Sequence, residues 1–148
     1  MAVRTGDRNP NNTKLTAIDA SKDLISYTYD RVHDKTLPKA DRWLMCKTIW
    51  DNCSKARALI VRSNSIKVEC REDAVERLLE EKLAIGYLDS LIADIDTLHI
   101  KGKISDDRAE YWTKLAVTTQ LKTKARLDRK STRLNSSHIA TSRMPSSA

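Results

Sequence analysis

Residues 75–102 read VERLLEEKLAIGYLDSLIADIDTLHIKG, and this stretch decides the fold class. Its stripe of mostly apolar residues recurs every three or four positions, as in an amphipathic α-helix, and consists of Val75, Leu78, Leu79, Ile85, Leu88, Ile92, Ile95 and His99. The pattern ends at Lys101-Gly102, because glycine readily adopts the left-handed conformation that closes a helix. Gly86 lies inside the pattern and costs up to about 1 kcal/mol relative to alanine. We therefore expect a close crossing with another helix at Gly86.

Two helical patterns precede this stretch. The first begins at Leu15 and stops near Asp34, since the residue before Pro38 disfavours helical backbone. The stripe of this first helix is Leu15, Ile18, Lys22, Ile25, Tyr29 and Val32. The second begins at about Pro38, which suits the first turn of a helix, and runs to about Ser65. The inner face of this second helix is Met45, Ile49, Cys53, Ala56, Ile60 and Ser63.

A fourth helical pattern follows Gly102. Ser105 suits the N-cap position, and the carboxylates of Asp106 and Asp107 are favourable at the positive end of the helix dipole. The pattern thins towards Arg126, and its inner face is Trp112, Leu115, Ala116 and Thr119. Four helices with short connections after the first and the third predict an all-α fold, an antiparallel up-down four-helix bundle.

The composition agrees with an all-α fold and excludes several classes of protein. The chain of 148 residues has three Gly, three Pro and no Phe, which is too few turn residues for a β-sandwich or barrel. No apolar run is long enough to cross a membrane, and no secretion signal follows Met1. Three cysteines, an odd number, fit free thiols in a reducing compartment. We expect a cytoplasmic protein with no membrane partner.

The two ends of the chain differ from its middle. Residues 1–14, with Gly, Pro and three Asn, are predicted to form a flexible arm. Residues 128–138 read DRKSTRLNSSH, which one reading frame of a short-read sequencing adapter encodes, and residues 143–148 match the adapter again after a variable gap. We expect residues 128–148 to be a disordered, translated adapter artefact and residues 15–127 to be the bundle. The artefact holds four basic residues and one acidic residue, so the net charge of +7 falls to +4 for residues 1–127.

No residue pattern indicates an enzyme. A Gly-rich phosphate loop and a nucleophile elbow are both missing from the sequence. His33 and His99 have no Cys or Asp at the spacing of a triad or a metal pair, and they are predicted to be a surface residue and a helix-end residue. Cys46, Cys53 and Cys70 lack zinc-site spacing and are predicted to be buried free thiols. We expect no catalytic site, no metal and no cofactor.

Acidic residues crowd the third helix. Nine carboxylates face three basic side chains over residues 69–100, and the simplest interpretation is a solvated face with Asp73 and Arg77 paired. A small metal-dependent helical enzyme that uses these carboxylates is the alternative. It has little support, because the Glu-x-x-His motif of di-iron bundles is missing.

Positive charge is concentrated on the second and fourth helices. Residues 39–67 hold seven basic and two acidic residues, and residues 111–126 hold four basic and no acidic residues. Such helices bind phosphates with release of counterions, or they dock the acidic helix of a neighbouring subunit, and both interpretations stay open. The candidate nucleic-acid-binding residues are Lys55, Arg57, Arg62, Lys114, Lys122, Lys124 and Arg126. Tryptophans stack on bases in some such proteins, but packing in the core or at a subunit interface is favoured for Trp43, Trp50 and Trp112.

Two motifs resemble one known family. LPKxxRWLxCKxI over residues 37–49 and ISxxxxEYWxKL over residues 104–115 are similar, in order and spacing, to the accessory variability protein (Avd) of diversity-generating retroelements. The resemblance covers roughly residues 15–126. The wider group of four-helix-bundle proteins also includes proteins encoded in ribosomal-RNA intervening sequences.

The resemblance implies both an assembly and a role. It implies a four-helix bundle that forms a homopentameric barrel, binds the reverse transcriptase of the element and its template RNA or cDNA, and supports mutagenic retrohoming. It also implies that the protein has no catalytic site of its own. The acidic third helix departs from the strongly basic charge balance of the family. A bundle of the ribosomal-RNA intervening-sequence type, with no polymerase partner, is the alternative.

Overall fold

The computed structural model describes the backbone of residues 15–146 and the side chains of residues 15–127. Over the described backbone the protein is all-helical, with four helices and no strand. Within the same residues, no helix combines the length and the apolar content needed to cross a lipid bilayer. The N-terminal arm expected over residues 1–14 lies outside the described residues.

The four helices follow the predicted order. Their bounds are Ala17–Val32 for α1, the consecutive segments Lys39–Asp41, Arg42–Cys46 and Lys47–Ser65 for α2, Arg71–Ile100 for α3, and Asp106–Ser146 for α4. The middle segment of α2 is π-helical, a form that places one additional residue in a turn. α2 contacts α1 and α3, and α4 contacts the same two helices.

Local capping explains where the helices begin and end. Thr16 and Asp19 form a capping box at the start of α1, in which the Thr16 hydroxyl accepts the Asp19 N–H at 3.1 Å. The Ser105 hydroxyl accepts the Arg108 N–H at 3.3 Å, so its predicted role as N-cap of α4 is confirmed. Gly102 has a φ of 69° directly after α3, as predicted from the sequence.

One large apolar cluster fills the interior. The apolar cluster consists of Leu24, Ile49, Cys53, Ala56, Leu88, Leu91, Ile95, Leu98, Trp112 and Ala116. The predicted inner faces of α2 and α4 are largely confirmed, because they supply half of this cluster. Met45 and Leu115, which also belong to those faces, are partly buried and pack against it.

The predicted stripe of α1 is only partly confirmed. Leu15 is buried, and Ile18, Ile25 and Val32 pack against the core. Lys22 and Tyr29 are exposed, and the buried residues within α1 are Ala17, Ala20, Ser21, Leu24 and Thr28. Small and hydroxyl side chains allow α1 to pack closely, and the Thr28 hydroxyl finds polar partners inside the protein. It accepts the Trp112 Nε1–H at 3.0 Å and lies 3.6 Å from the Cys53 thiol, which donates to it.

Two expectations for α3 are also wrong. Val75 and Leu79 are 41% and 55% exposed, whereas Glu80 and Glu81 are buried, so the N-terminal half of the helix is rotated relative to the prediction. Gly86 is exposed, and a Cβ atom at this position would meet no atom within 4 Å. None of the described residues makes the expected close crossing at Gly86.

The backbone of α4 continues in helical form to Ser146. This span includes residues 128–146, for which we expect disorder from the sequence. The adapter origin of residues 128–148 stays a prediction.

Candidate nucleic-acid interface

Three lysines of α4 belong to the candidate set. Lys114 and Lys124 are exposed, and Lys122 is half-buried. Among the described side chains, no acidic group forms an ion pair with any of the three. Their ammonium groups are therefore available to neutralise phosphates.

Lys114 differs from the other two because it lines a groove of about 430 Å³ between α1 and α4. Asp23 and Asp30 of α1 line the same groove, and the rings of Tyr27 and Tyr111 meet there edge to face with centroids 4.9 Å apart. The two carboxylates oppose the binding of an anion inside the groove. We therefore expect Lys114 to meet a phosphate only outside the groove.

Arg62 and Arg126, two of the candidates, contact carboxylates of α3. Arg62 Nη2 lies 2.8 Å from Glu80 Oε1, and Arg126 Nε lies 3.0 Å from Glu81 Oε1. Glu80 is 8% and Glu81 1% exposed, so the predicted solvated acidic face is wrong for this pair. A buried carboxylate without a cation is costly, and the two guanidinium groups offset that cost.

A third guanidinium completes this charged group. Arg77 Nε lies 3.7 Å from Glu81 Oε1, one helical turn away, and the predicted pairing of Arg77 with Asp73 is wrong. Asp73 instead accepts the Glu69 N–H at 3.1 Å, and this hydrogen bond lowers the pKa of Asp73. We call Arg62, Arg77, Glu80, Glu81 and Arg126 the charged cluster.

The remaining two candidates lie on α2. Lys55 is exposed, and its Nζ sits 5.6 Å from the centroid of the Tyr87 ring on α3, within cation–π range. Arg57 is half-buried, one turn after Cys53. Burial raises the pKa of the Cys53 thiol to about 11, and the positive charge of Arg57 acts in the opposite direction. The structure therefore brings Arg62 and Arg126 to the two carboxylates of α3. Lys55 of α2 instead contacts the Tyr87 ring of α3, and Lys114 of α4 lines the groove next to α1.

The three tryptophans occupy different environments. Trp112 is buried in the apolar cluster, and Trp50 packs against Tyr29 with ring centroids 5.9 Å apart. Both agree with the favoured packing role. Trp43 is 75% exposed in the π-helical segment and is the tryptophan whose ring is accessible for stacking.

The histidines and cysteines among the described side chains differ in exposure. His33 is exposed as predicted, and His99 Nε2 lies 2.6 Å from Asp106 Oδ1, which connects α3 to α4. Cys46 and Cys53 are buried as predicted, but Cys70 is exposed. In the part of the chain that the structure describes, no group of three or more His, Cys, Asp and Glu residues is arranged to hold a metal ion.

The sequence patterns do not predict a polar junction around Asp34, in the loop between α1 and α2. The Asp34 carboxylate accepts the Thr36 N–H at 2.9 Å and lies 2.9 Å from Arg108 Nη1 and 3.4 Å from Arg31 Nη1. The hydrogen bonds from Thr36, together with the positive charge of Arg108, lower the pKa of Asp34. An Asp two residues before a Thr, close to a proline, is a signal for such a turn, but the long-range partner has no local signal.

The two motif segments, residues 37–49 and 104–115, come together in the structure. Met45 of the first and Ile104 of the second both pack against the apolar cluster. Lys103, directly before the second segment, pairs with Asp41 of the first at 3.2 Å. No protein-family model matches this chain, and comparisons with curated proteins and with solved structures give no match.

Proposed function

We propose that this chain is a non-catalytic accessory subunit of a diversity-generating retroelement. In this role it binds the reverse transcriptase and the template RNA or cDNA in the cytoplasm and supports mutagenic retrohoming. The observation that carries the proposal is the pair of Avd-like motifs at residues 37–49 and 104–115. They occur in the expected order and open α2 and α4 of an all-helical fold, and Lys103, directly before the second motif, pairs with Asp41 of the first.

The proposal includes a finer architecture. We propose that the four helices are antiparallel in an up-down bundle and that five copies form a barrel. Two contacts support the antiparallel arrangement of α2 and α3. Asn52 donates to Asp94 at 3.0 Å, and Arg62 pairs with Glu80, so the partner number falls as the α2 number rises. The pentamer rests on the family resemblance alone.

Co-purification tests the polymerase partner. The full chain is co-expressed with a tagged reverse transcriptase from a closely related retroelement, alongside an Avd protein of that element as the positive control. We expect a stable complex that contains several copies of this chain, as measured by light scattering. A folded chain that leaves the polymerase behind, under conditions in which the control binds, would refute the proposal and favour the ribosomal-RNA intervening-sequence alternative.

The RNA contact is tested by reversing charge on α4. Lys114→Glu combined with Lys124→Glu removes two exposed cations, and each phosphate contact in single-stranded RNA contributes roughly 0.7 to the slope of log K against log salt. We expect the slope for the single-stranded template RNA of a related retroelement to become flatter by about 1.4.

A matched variant controls for net charge. Lys22 and Lys35 are exposed on α1 and in the loop after it, so Lys22→Glu with Lys35→Glu changes the net charge by the same amount. This control is expected to keep the salt slope of the wild type. An unchanged slope in the α4 variant would remove Lys114 and Lys124 from the interface.

A further inference from the structure

An uncharged stripe runs along the exposed side of α3. Because its members are spaced by three or four positions, they lie on one side of the helix over about 38 Å. The outer stripe consists of Val75, Leu79, Leu83, Gly86, Ser90, Ala93, Thr97 and Ile100, all of them exposed. Its first three residues are 41%, 55% and 57% exposed, which is unusual for three large aliphatic side chains on consecutive turns.

The middle of the outer stripe is made of small residues. The Thr97 hydroxyl donates to the Ala93 carbonyl oxygen at 3.0 Å, so its hydrogen-bonding need is met inside its own helix. A methyl group added at Gly86 would meet no neighbour within 4 Å among the described residues, so no contact there offsets the helix cost of this glycine. A glycine beside small residues allows the backbone of another molecule to approach closely.

The charges beside the stripe indicate what covers it. Arg71, Glu72 and Glu76 line a groove at its aliphatic part. Outside the charged cluster, residues 69–100 carry seven carboxylates against two basic side chains. A second α3 would bring these carboxylates together, which is unfavourable. A complementary helix is therefore basic and has apolar side chains between its cations.

The chain itself contains such a helix face. On the exposed side of α2, Trp43, Leu44 and Val61 are 75%, 66% and 38% exposed, and Lys47 and Lys55 lie between them. Residues 39–67 carry seven basic and two acidic residues. We call this surface the basic face of α2.

We propose that the outer stripe of α3 docks against the basic face of α2 in a second copy of this chain. Two different surfaces meet in this contact, so it repeats head to tail and closes into a ring when the rotation between copies permits. This inference rests on the proposed function, because it names the two surfaces through which the proposed assembly of several copies would form. The lysines of α4 stay outside the contact and remain available to RNA.

A charge swap between two variants tests the contact. The first variant is Lys47→Glu with Lys55→Glu, and the second is Glu72→Lys with Glu76→Lys. The mass of the full chain is followed by light scattering over a range of protein concentrations. Each variant alone is expected to need at least about tenfold more protein for half-association, because like charges then face each other. Lys22→Glu with Lys35→Glu is the control and is expected to associate like the wild type.

The decisive sample is an equimolar mixture of the two variants. In the mixture, the acidic α2 of the first variant meets the basic α3 of the second, and both unchanged faces are also complementary. Restored association supports the head-to-tail contact and excludes misfolding of the variants, which circular dichroism checks separately. Because the two variants must alternate, the mixture is expected to form open assemblies or rings with an even number of copies rather than a closed ring of five. A wild type that is monomeric at every concentration, or variants that associate as it does, would overturn the proposal.

The same samples separate this inference from the proposed function. If self-association depends on both faces but the chain does not bind the polymerase, the α2–α3 contact is supported and the accessory role is refuted. If the chain binds the polymerase but neither charge reversal changes the mass of its assembly, the accessory role is supported and the contact is refuted.

Discussion

The apolar cluster and the charged cluster hold neighbouring parts of the same helices together by different means. The first surrounds Trp112 with aliphatic and small side chains, and its main internal polar link is the hydrogen bond from Trp112 to Thr28. The second buries Glu80 and Glu81 among three guanidinium groups. Apolar packing contributes stability directly, whereas a buried ion cluster chiefly penalises any arrangement that separates its charges. The comparison predicts different responses to substitution.

The largest effect is expected in the apolar cluster. Trp112 is 1% exposed, and Trp112→Ala removes its packing and leaves a cavity. We expect a loss of about 3–5 kcal/mol in the free energy of unfolding, measured by urea denaturation. Trp112→Phe, which keeps a ring but loses the hydrogen bond to Thr28, should cost clearly less. Equal losses for the two variants would show that packing volume is not the main contribution.

The next effect concerns the charged cluster. Glu81→Gln removes the carboxylate that faces Arg77 and Arg126, and we expect a loss of about 3 kcal/mol because buried cations lose their counter-charge. The triple variant Arg77→Leu with Glu81→Leu and Arg126→Leu should recover most of that loss, since well-packed apolar residues often replace a buried ion group when all its charges are removed together. A triple variant as unstable as the sum of its single variants would contradict this view of the cluster.

A smaller effect of opposite sign is expected at Gly86. Alanine has room there, so Gly86→Ala should raise the stability of the monomer by about 0.5–1 kcal/mol through helix propensity. The same methyl group lies in the outer stripe and should weaken self-association. Thermal unfolding at low and high protein concentration separates the two effects. A destabilised monomer would indicate a contact within the chain at Gly86.

The smallest effect is expected at Asp34, which connects the α1–α2 loop to α4. The pKa of Asp34 is lowered below its ordinary value of 3.8, so its ionised form stabilises the folded state. This contribution is present above the ordinary pKa and is lost as the pH falls through the lower folded-state pKa. Asp34→Asn should cost about 0.5–1 kcal/mol at pH 7 and progressively less below pH 4. A difference that stays constant down to pH 2 would contradict the electrostatic explanation.

The sequence predicts α2 and α4 well because their buried residues are mostly apolar and follow one helical stripe. It is only partly right for the buried side of α1 and fails for the start of α3, where the interior holds polar groups. Thr28 is buried because Trp112, which is 84 residues away, donates to it, and Glu81 is buried because Arg126 reaches it. Such distant partners leave no local pattern. For the same reason, charge alone did not separate Arg62 and Arg126 from the lysines that have no carboxylate partner.

The three cysteines differ in exposure, so one of them can be labelled selectively. Cys70 is exposed at the start of α3, whereas Cys46 and Cys53 are buried. Since a maleimide dye must reach the sulfur atom, a dye added to the native chain should attach at Cys70 alone. The wild-type protein thus accepts a single fluorophore five residues before Val75. Energy transfer between labelled copies can then report contacts of the outer stripe without any engineered cysteine.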